Sequence, residues 1–273
     1  MLLRFVIRKD KFMTEDLRGA IHLALDPKKS PEAIAYFERI KDESLSSFEL
    51  ASGLVNCDRD KVMPRELFDF IVSLYEDSIS KGNSDAMNDL GALYYDGRGY
   101  CQDFSKAMHY YTMAMEHGND LATENMGYYY YYGRSIPVDY EKAFYCFSQG
   151  AFTGRLVSLY KIGDMYRKGY YVSKNPELAF MIYDRCVRLM THDDAQYIAG
   201  PVFLRLGFMY LDGYGMGKNA LIALKCFQEA ESYLYDIVSD GDVMYVDSLK
   251  SAIKAQERAR SELKGKLPER TWP

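Results

Sequence analysis

Residues 85–119 read DAMNDLGALYYDGRGYCQDFSKAMHYYTMAMEHGN, and residues 121–155 read LATENMGYYYYYGRSIPVDYEKAFYCFSQGAFTGR. The words differ but the layout is one. Gly91, Gly127 and Gly163 recur at a constant step (127 − 91 and 163 − 127 are both 36). Tyr94, Tyr130 and Tyr166 keep it, as do Gly97, Gly133 and Gly169, and Ala107, Ala143 and Ala179. A fourth copy follows at Gly207, Tyr210, Gly213 and Ala223, its step lengthened to 44 (207 − 163) by an insertion near residues 191–198. A repeat of this length is one supersecondary unit that cannot bury its apolar face alone, so copies must stack.

Each copy spells two helices. Leu90, Leu93, Tyr94 and Gly97 fall at helical spacing, and so do Met126, Tyr129, Tyr130 and Gly133. The closing Gly suits a left-handed C-terminal cap. Asp103, Asp139, Asn175 and Asn219 then open the second helix in one register, each with a short side-chain oxygen suited to an N-cap. Pro176 follows at the first helical position, where its missing N–H costs nothing. Leu90, Met126, Ile162 and Leu206 form one expected core position, and Leu93, Tyr129, Met165 and Met209 another. Tyr94, Tyr130, Tyr166 and Tyr210 are expected to form an aromatic spine. The expected fold is all-α: a right-handed α-α superhelix, or solenoid, of antiparallel helix pairs.

These residues resemble the Sel1-like repeat, a branch of the tetratricopeptide-like helical repeats. In the first copy Ala86, Leu90, Gly91, Tyr94, Gly97, Gly99, Asp103, Lys106, Ala107, Tyr111, Ala114 and Gly118 match the family pattern. Ser135 and Tyr171 stand where the pattern has its second loop Gly, and the late small pair becomes Cys186-Val187 and Ala230-Glu231. The resemblance spans Asp85 to about Tyr235. It implies adaptors in protein complexes, active in signalling, quality control or bacterial host interaction.

Outside the clear copies the register persists weakly: Ile71 and Gly82 stand one step before Ala107 and Gly118. The expected organisation is an N-terminal arm at 1–12, two eroded helix pairs at 13–82, four repeats at 83–240, a capping helix at 241–264 and a tail at 265–273. That tail holds Trp272, the one tryptophan.

The formal charge of −5 argues against nucleic acid as a partner, because phosphate binding needs a basic face. No apolar run approaches the length of a membrane span, so no membrane role is expected. The start, MLLRFVIRKDKF, is too short and too interrupted by charge for a signal peptide, and the chain reads as cytoplasmic. Cys57, Cys101, Cys146, Cys186 and Cys226 lie far apart, without metal-knuckle spacing or a helix-pinning pair. None of His22, His109, His117 and His192 stands in a nucleophile pattern. No cofactor, metal or catalytic residue is expected. An acid pair in the insertion, Asp193-Asp194, is the remaining candidate for an enzyme reading, with a loop N-cap as a cheaper explanation than a metal.

Function then rests on what varies at fixed geometry. Positions two before, one after and five after the repeat Gly share a face away from the core: Asp89, Ala92, Asp96; Asn125, Tyr128, Tyr132; Lys161, Asp164, Lys168; and Arg205, Phe208, Asp212. If the first helices line the concave side, the groove carries an aromatic centre of Tyr128, Tyr132 and Phe208 beside cationic Lys161, Lys168 and Arg205. Aromatic and Arg anchors dominate binding hot spots. A peptide or protein segment, acidic or with a free C-terminal carboxylate, suits that lining. Solvated helix faces are the alternative for these positions, and a self-assembling structural component is the alternative function.

Overall fold

Local capping chemistry repeats through the chain and fixes where each helix starts and stops. The computed structural model describes residues 20, 23–26, 28–41, 46–56, 63–97 and 102–264. The expected arm at 1–12, most of the expected helix from Thr14, Gly99, Cys57, Cys101, His22 and the 265–273 tail with Trp272 lie outside the described residues. The described residues are helical without a strand, and the chain divides into two compact units between Asp139 and Tyr140.

The unit before the division holds α1 (Ser30–Ile40), α2 (Ser47–Asn56), α3 (Arg65–Ser80), α4 (Ser84–Asp96), α5 (Phe104–Glu116) and α6 (Asp120–Tyr132). Within it α2 packs on α3, α3 on α4, α4 on α5 and α5 on α6. The unit after it holds α7 (Tyr140–Phe152), α8 (Leu156–Lys168), α9 (Pro176–Leu189), α10 (His192–Asp212), α11 (Ala220–Ser239) and α12 (Val246–Lys264). Here too each helix packs on the next. Short connections between consecutive packed helices make antiparallel pairs.

The caps are those the register predicts. Gly97, Gly133, Gly169 and Gly213 end α4, α6, α8 and α10 in the left-handed region. Asp103, Asn175 and Asn219 open α5, α9 and α11 by accepting from the backbone N–H three residues on. One further bond closes every loop: the backbone N–H of Asp103, Asp139, Asn175 and Asn219 donates to the carbonyl of Tyr94, Tyr130, Tyr166 and Tyr210. The repeated Tyr and the repeated cap are thus two ends of one hydrogen bond.

The aromatic spine differs from expectation. Tyr130, Tyr166 and Tyr210 are only half-buried, whereas Tyr111, Phe147, Tyr183 and Phe227, one register position in the second helices, have no exposed surface. The repeat Gly explains it. A Cβ at Gly91, Gly163 or Gly207 would lie 2.9, 2.7 or 2.5 Å from the ring of Tyr111, Tyr183 or Phe227. The small residue on the first helix is the seat for the ring on the second. Tyr111 then meets Tyr129 edge-on at 5.9 Å, and Tyr129 meets Tyr95 at 5.6 Å, an arrangement favoured by the ring quadrupoles.

The aliphatic positions follow the register except at Ile162, which is half-buried. Met126 is 1 % exposed. Truncating it to alanine is expected to cost about 2–5 kcal/mol in chemical denaturation; a loss near zero would remove Met126 from the core.

The insertion is helical rather than looped. It lengthens α10 to 21 residues, and α11 runs to 20. Thr191 and Asp194 form a reciprocal capping box at its start, so Asp194 serves the helix terminus. After a short 3-10 turn (Val243–Tyr245), α12 lays Ala252, Ala255 and Ala259 against α10 and α11. Its opposite side, with Lys254, Glu257 and Arg260, faces solvent.

Candidate functional site

In the unit that ends at Asp139, the variable positions of the first helices are buried or half-buried except at Tyr132. Asn125 and Tyr128 are 1 % and 6 % exposed, and Ala92 is buried. The Asn125 amide donates to Asn88 Oδ1 at 3.0 Å, and Asn88 donates to Asp89 Oδ1 at 3.1 Å. A second link, Asn119 Nδ2 to Asp85 Oδ1 at 2.9 Å, also joins α4 to the start of α6. Asp89 and Asp96 are half-buried. Tyr132 is the open residue of the group; it stacks parallel on Tyr128 at 6.1 Å, with the Arg134 guanidinium 5.9 Å from its ring.

In the unit after Tyr140 the same positions build a buried ion network. Both Arg205 Nε and Nη2 donate to the Asp164 carboxylate, at 2.5 and 2.6 Å, and Nη1 donates to the Pro201 carbonyl at 2.7 Å. The Tyr183 hydroxyl also donates to Asp164, at 2.6 Å, and Lys161 Nζ lies 4.0 Å away. Burial alone would raise the Asp164 pKa. The charge and hydrogen bonds of Arg205, then Lys161 and Tyr183, outweigh it and hold the carboxyl well below the usual range. Burial, reinforced by that carboxylate, pushes Tyr183 upward. The network joins α8 to α10 and engages Lys161, Asp164 and Arg205 within the fold.

Beside that network a cleft of about 790 Å³ opens among α8, α10, the loops that follow them, and the start of α12. Of the residues singled out in the sequence, Lys168, Arg205, Phe208 and Asp212 line it. Arg167, Tyr170, Lys174, Tyr214 and Ser248 complete the polar lining, with Leu204 and Met209 beneath. Lys168 Nζ lies 5.2 Å from the Tyr170 ring centre, and Lys174 Nζ 5.3 Å from that of Tyr214. Arg205 is bound to Asp164, and Asp212 accepts from Arg258 on α12 at 2.6 Å. Arg167, Lys168 and Lys174 add positive charge to the lining, in a chain whose net charge is −5. Arg167 Nε is buried without a hydrogen-bond partner among the described residues. Cations over aromatic faces, above an apolar floor, can hold a carboxylate and an adjoining apolar side chain together.

Sequence reasoning missed Tyr170, Lys174 and Tyr214 because it followed helix faces, and Arg167 because that residue lies on α8 outside the three positions followed. A register signal was present: Tyr170 and Tyr214 both stand seven after the repeat Gly (170 − 163 and 214 − 207).

The three described thiols are free and buried. Burial pushes Cys146, Cys186 and Cys226 up to about 11, 12 and 11, which suppresses the thiolate. Peptide mapping after iodoacetamide treatment of native protein at pH 8 should find all three unmodified; rapid labelling of any one would contradict its burial. No group of three or more His, Cys, Asp or Glu side chains suited to a metal occurs among the described residues. Nor is any described helix long and apolar enough to cross a membrane.

Comparison with known proteins agrees with this architecture. The family model described as the Sel1 repeat matches at residues 84–119, 121–151, 156–185 and 204–232. Among solved structures, a Sel1 repeat protein from Oxalobacter formigenes is similar with a TM-score of 0.57 at 20 % identity, over 96 % of this chain and 90 % of that one. The antigen c5321, found in uropathogenic Escherichia coli strains and displaying an SLR fold, reaches 0.50 at 18 % identity, over 90 % of this chain and 68 % of its own. At these identities the likeness shows the fold. No curated protein matches the sequence.

Proposed function

Because the chain is a Sel1-like repeat protein of the α-α solenoid class, we propose that it is a non-catalytic adaptor that grips a partner polypeptide along the concave side lined by its first helices. The partner segment is acidic or ends in a free carboxylate, and it seats its charge in the cleft above Phe208. The positive lining of that cleft, within an acidic chain, is the observation that carries the reading. Arg167, Lys168 and Lys174 bind the anion, while Tyr170, Tyr214 and Phe208 hold the adjoining side chain.

Affinity purification from the native lysate tests this against a Lys168→Glu/Lys174→Glu variant. Both side chains are exposed, so the fold should survive. Partners held by the cleft should fall at least about tenfold in recovery, the equivalent of roughly 1.4 kcal/mol, and should elute with rising salt. Equal recovery from both proteins would contradict the site.

A second reading, self-assembly, is favoured by a different face. On α7 and α9 the second helices expose Tyr145 (64 %), Phe152 (90 %) and Met181 (64 %). Light scattering over a range of concentrations separates the two: a monomeric mass throughout favours the adaptor, and a concentration-dependent oligomer favours assembly.

A further inference from the structure

In the second, third and fourth copies the loop after the first helix passes through the left-handed region twice, first at the capping Gly and again two residues later. At that second position φ is +56° at Ser135, +64° at Tyr171 and +79° at Gly215. The backbone therefore repeats while the residue changes. In the fourth copy only Gly fits, because a Cβ on Gly215 would lie 2.5 Å from the carbonyl of Pro176 and 2.8 Å from the Glu177 nitrogen. The third copy carries instead a large aromatic residue. An L-residue held there costs about 1–2 kcal/mol that Gly avoids.

What Tyr171 gains in return within the fold is slight. Its hydroxyl donates to Glu141 at 3.2 Å and its ring tilts over Phe144 at 5.7 Å, yet 56 % of its surface stays open. Solvent-exposed contacts of this kind contribute little. The next residue back, Tyr170, lines the cleft, stacks on Tyr140 at 4.2 Å and lies under Lys168. A strained, open aromatic ring one residue along the chain from the cleft-lining Tyr170 is a feature the fold alone does not call for, and strain retained in this way marks functional positions.

We infer that Tyr171 anchors the bound segment: an aromatic or prolyl side chain next to the partner's acidic group stacks on its ring. The inference deepens the adaptor reading and rests on it, adding a specificity element outside the cleft. The strain at Tyr171 is then the cost of presenting an open ring next in the chain to the cleft-lining Tyr170.

The test uses an array of hexapeptides with free C-termini, carrying Asp or Glu at two positions and Phe, Tyr, Trp, Pro or Ala beside them. Binding is measured for wild type, Tyr171→Gly and Lys168→Glu/Lys174→Glu. Wild type should prefer aromatic or prolyl peptides over their Ala counterparts by about fivefold to tenfold, the size of one aromatic pair. Tyr171→Gly should lose that preference while keeping the dependence on acidic residues, and its melting temperature should hold or rise. The lysine variant should lose acid dependence. A preference that survives in Tyr171→Gly, or is absent from wild type while acid dependence remains, overturns the anchor alone. A melting temperature that falls in Tyr171→Gly assigns the ring to the fold and also overturns it. No binding of acidic peptides by wild type overturns the cleft reading and the anchor together.

Discussion

Arg205→Ala is expected to destabilise the unit after Tyr140 by about 3–5 kcal/mol, because it strands the Asp164 carboxylate with much of its charge compensation gone. Lys161, at 4.0 Å, compensates only in part. The larger signature is the reversal in pH dependence. In wild type the folded-state pKa of Asp164 lies below its ordinary value of 3.8, so the pair stabilises above about pH 4 and the contribution fades as pH falls through the depressed value. Without Arg205, burial dominates and the folded-state pKa moves above 3.8. The variant should then gain stability as pH is lowered toward 4, where wild type begins to lose it. Adding Asp164→Ala to Arg205→Ala should recover part of the loss, since the stranded carboxylate is gone, although the buried Lys161 ammonium then loses its neighbouring carboxylate. Denaturation midpoints between pH 3 and 7 check all three; parallel pH profiles for wild type and Arg205→Ala would show that the pair is not coupled to folding.

Gly215→Ala is expected to cost about 2–4 kcal/mol. Part is the left-handed backbone, about 1–2 kcal/mol for a residue with Cβ. The rest is a collision with the backbone of α9's first turn, which cannot rotate away as a side chain can. Because that turn belongs to the preceding copy, the damage falls on stacking between copies rather than on one helix. Tyr171→Ala, at the same register position with φ already positive, is the matched control and should cost less than about 1 kcal/mol. Equal losses at the two positions would mean that the close approach to Pro176 does not decide the effect.

Much of the fold was legible because its punctuation is local. A C-terminal Gly, an N-cap Asp or Asn and an apolar stripe act within one turn of themselves, so a constant step in sequence translates directly into repeated helix pairs. Burial between neighbouring helices was harder to read. The true spine at Tyr111, Phe147, Tyr183 and Phe227 shares the register of the half-buried Tyr130, Tyr166 and Tyr210, and only the ring-against-Gly contact separates the two sets. Asp164 and Arg205 were recognised as variable positions but not as partners. Their pairing depends on the approach of α8 to α10, which sequence spacing does not encode. The cleft was half legible: Lys168, Arg205, Phe208 and Asp212 came from the helix faces, whereas Tyr170, Lys174 and Tyr214 come from loops whose path the caps set.

Site-specific photocrosslinking tests the partner-binding claim most directly. p-Benzoylphenylalanine replaces Phe208, on the cleft floor, or Tyr145, on the exposed face of α7. Irradiation in the native lysate should give a discrete adduct at position 208 that disappears in the Lys168→Glu/Lys174→Glu background and under high salt, with none at position 145. Adducts at position 145 and none at 208 would contradict the account.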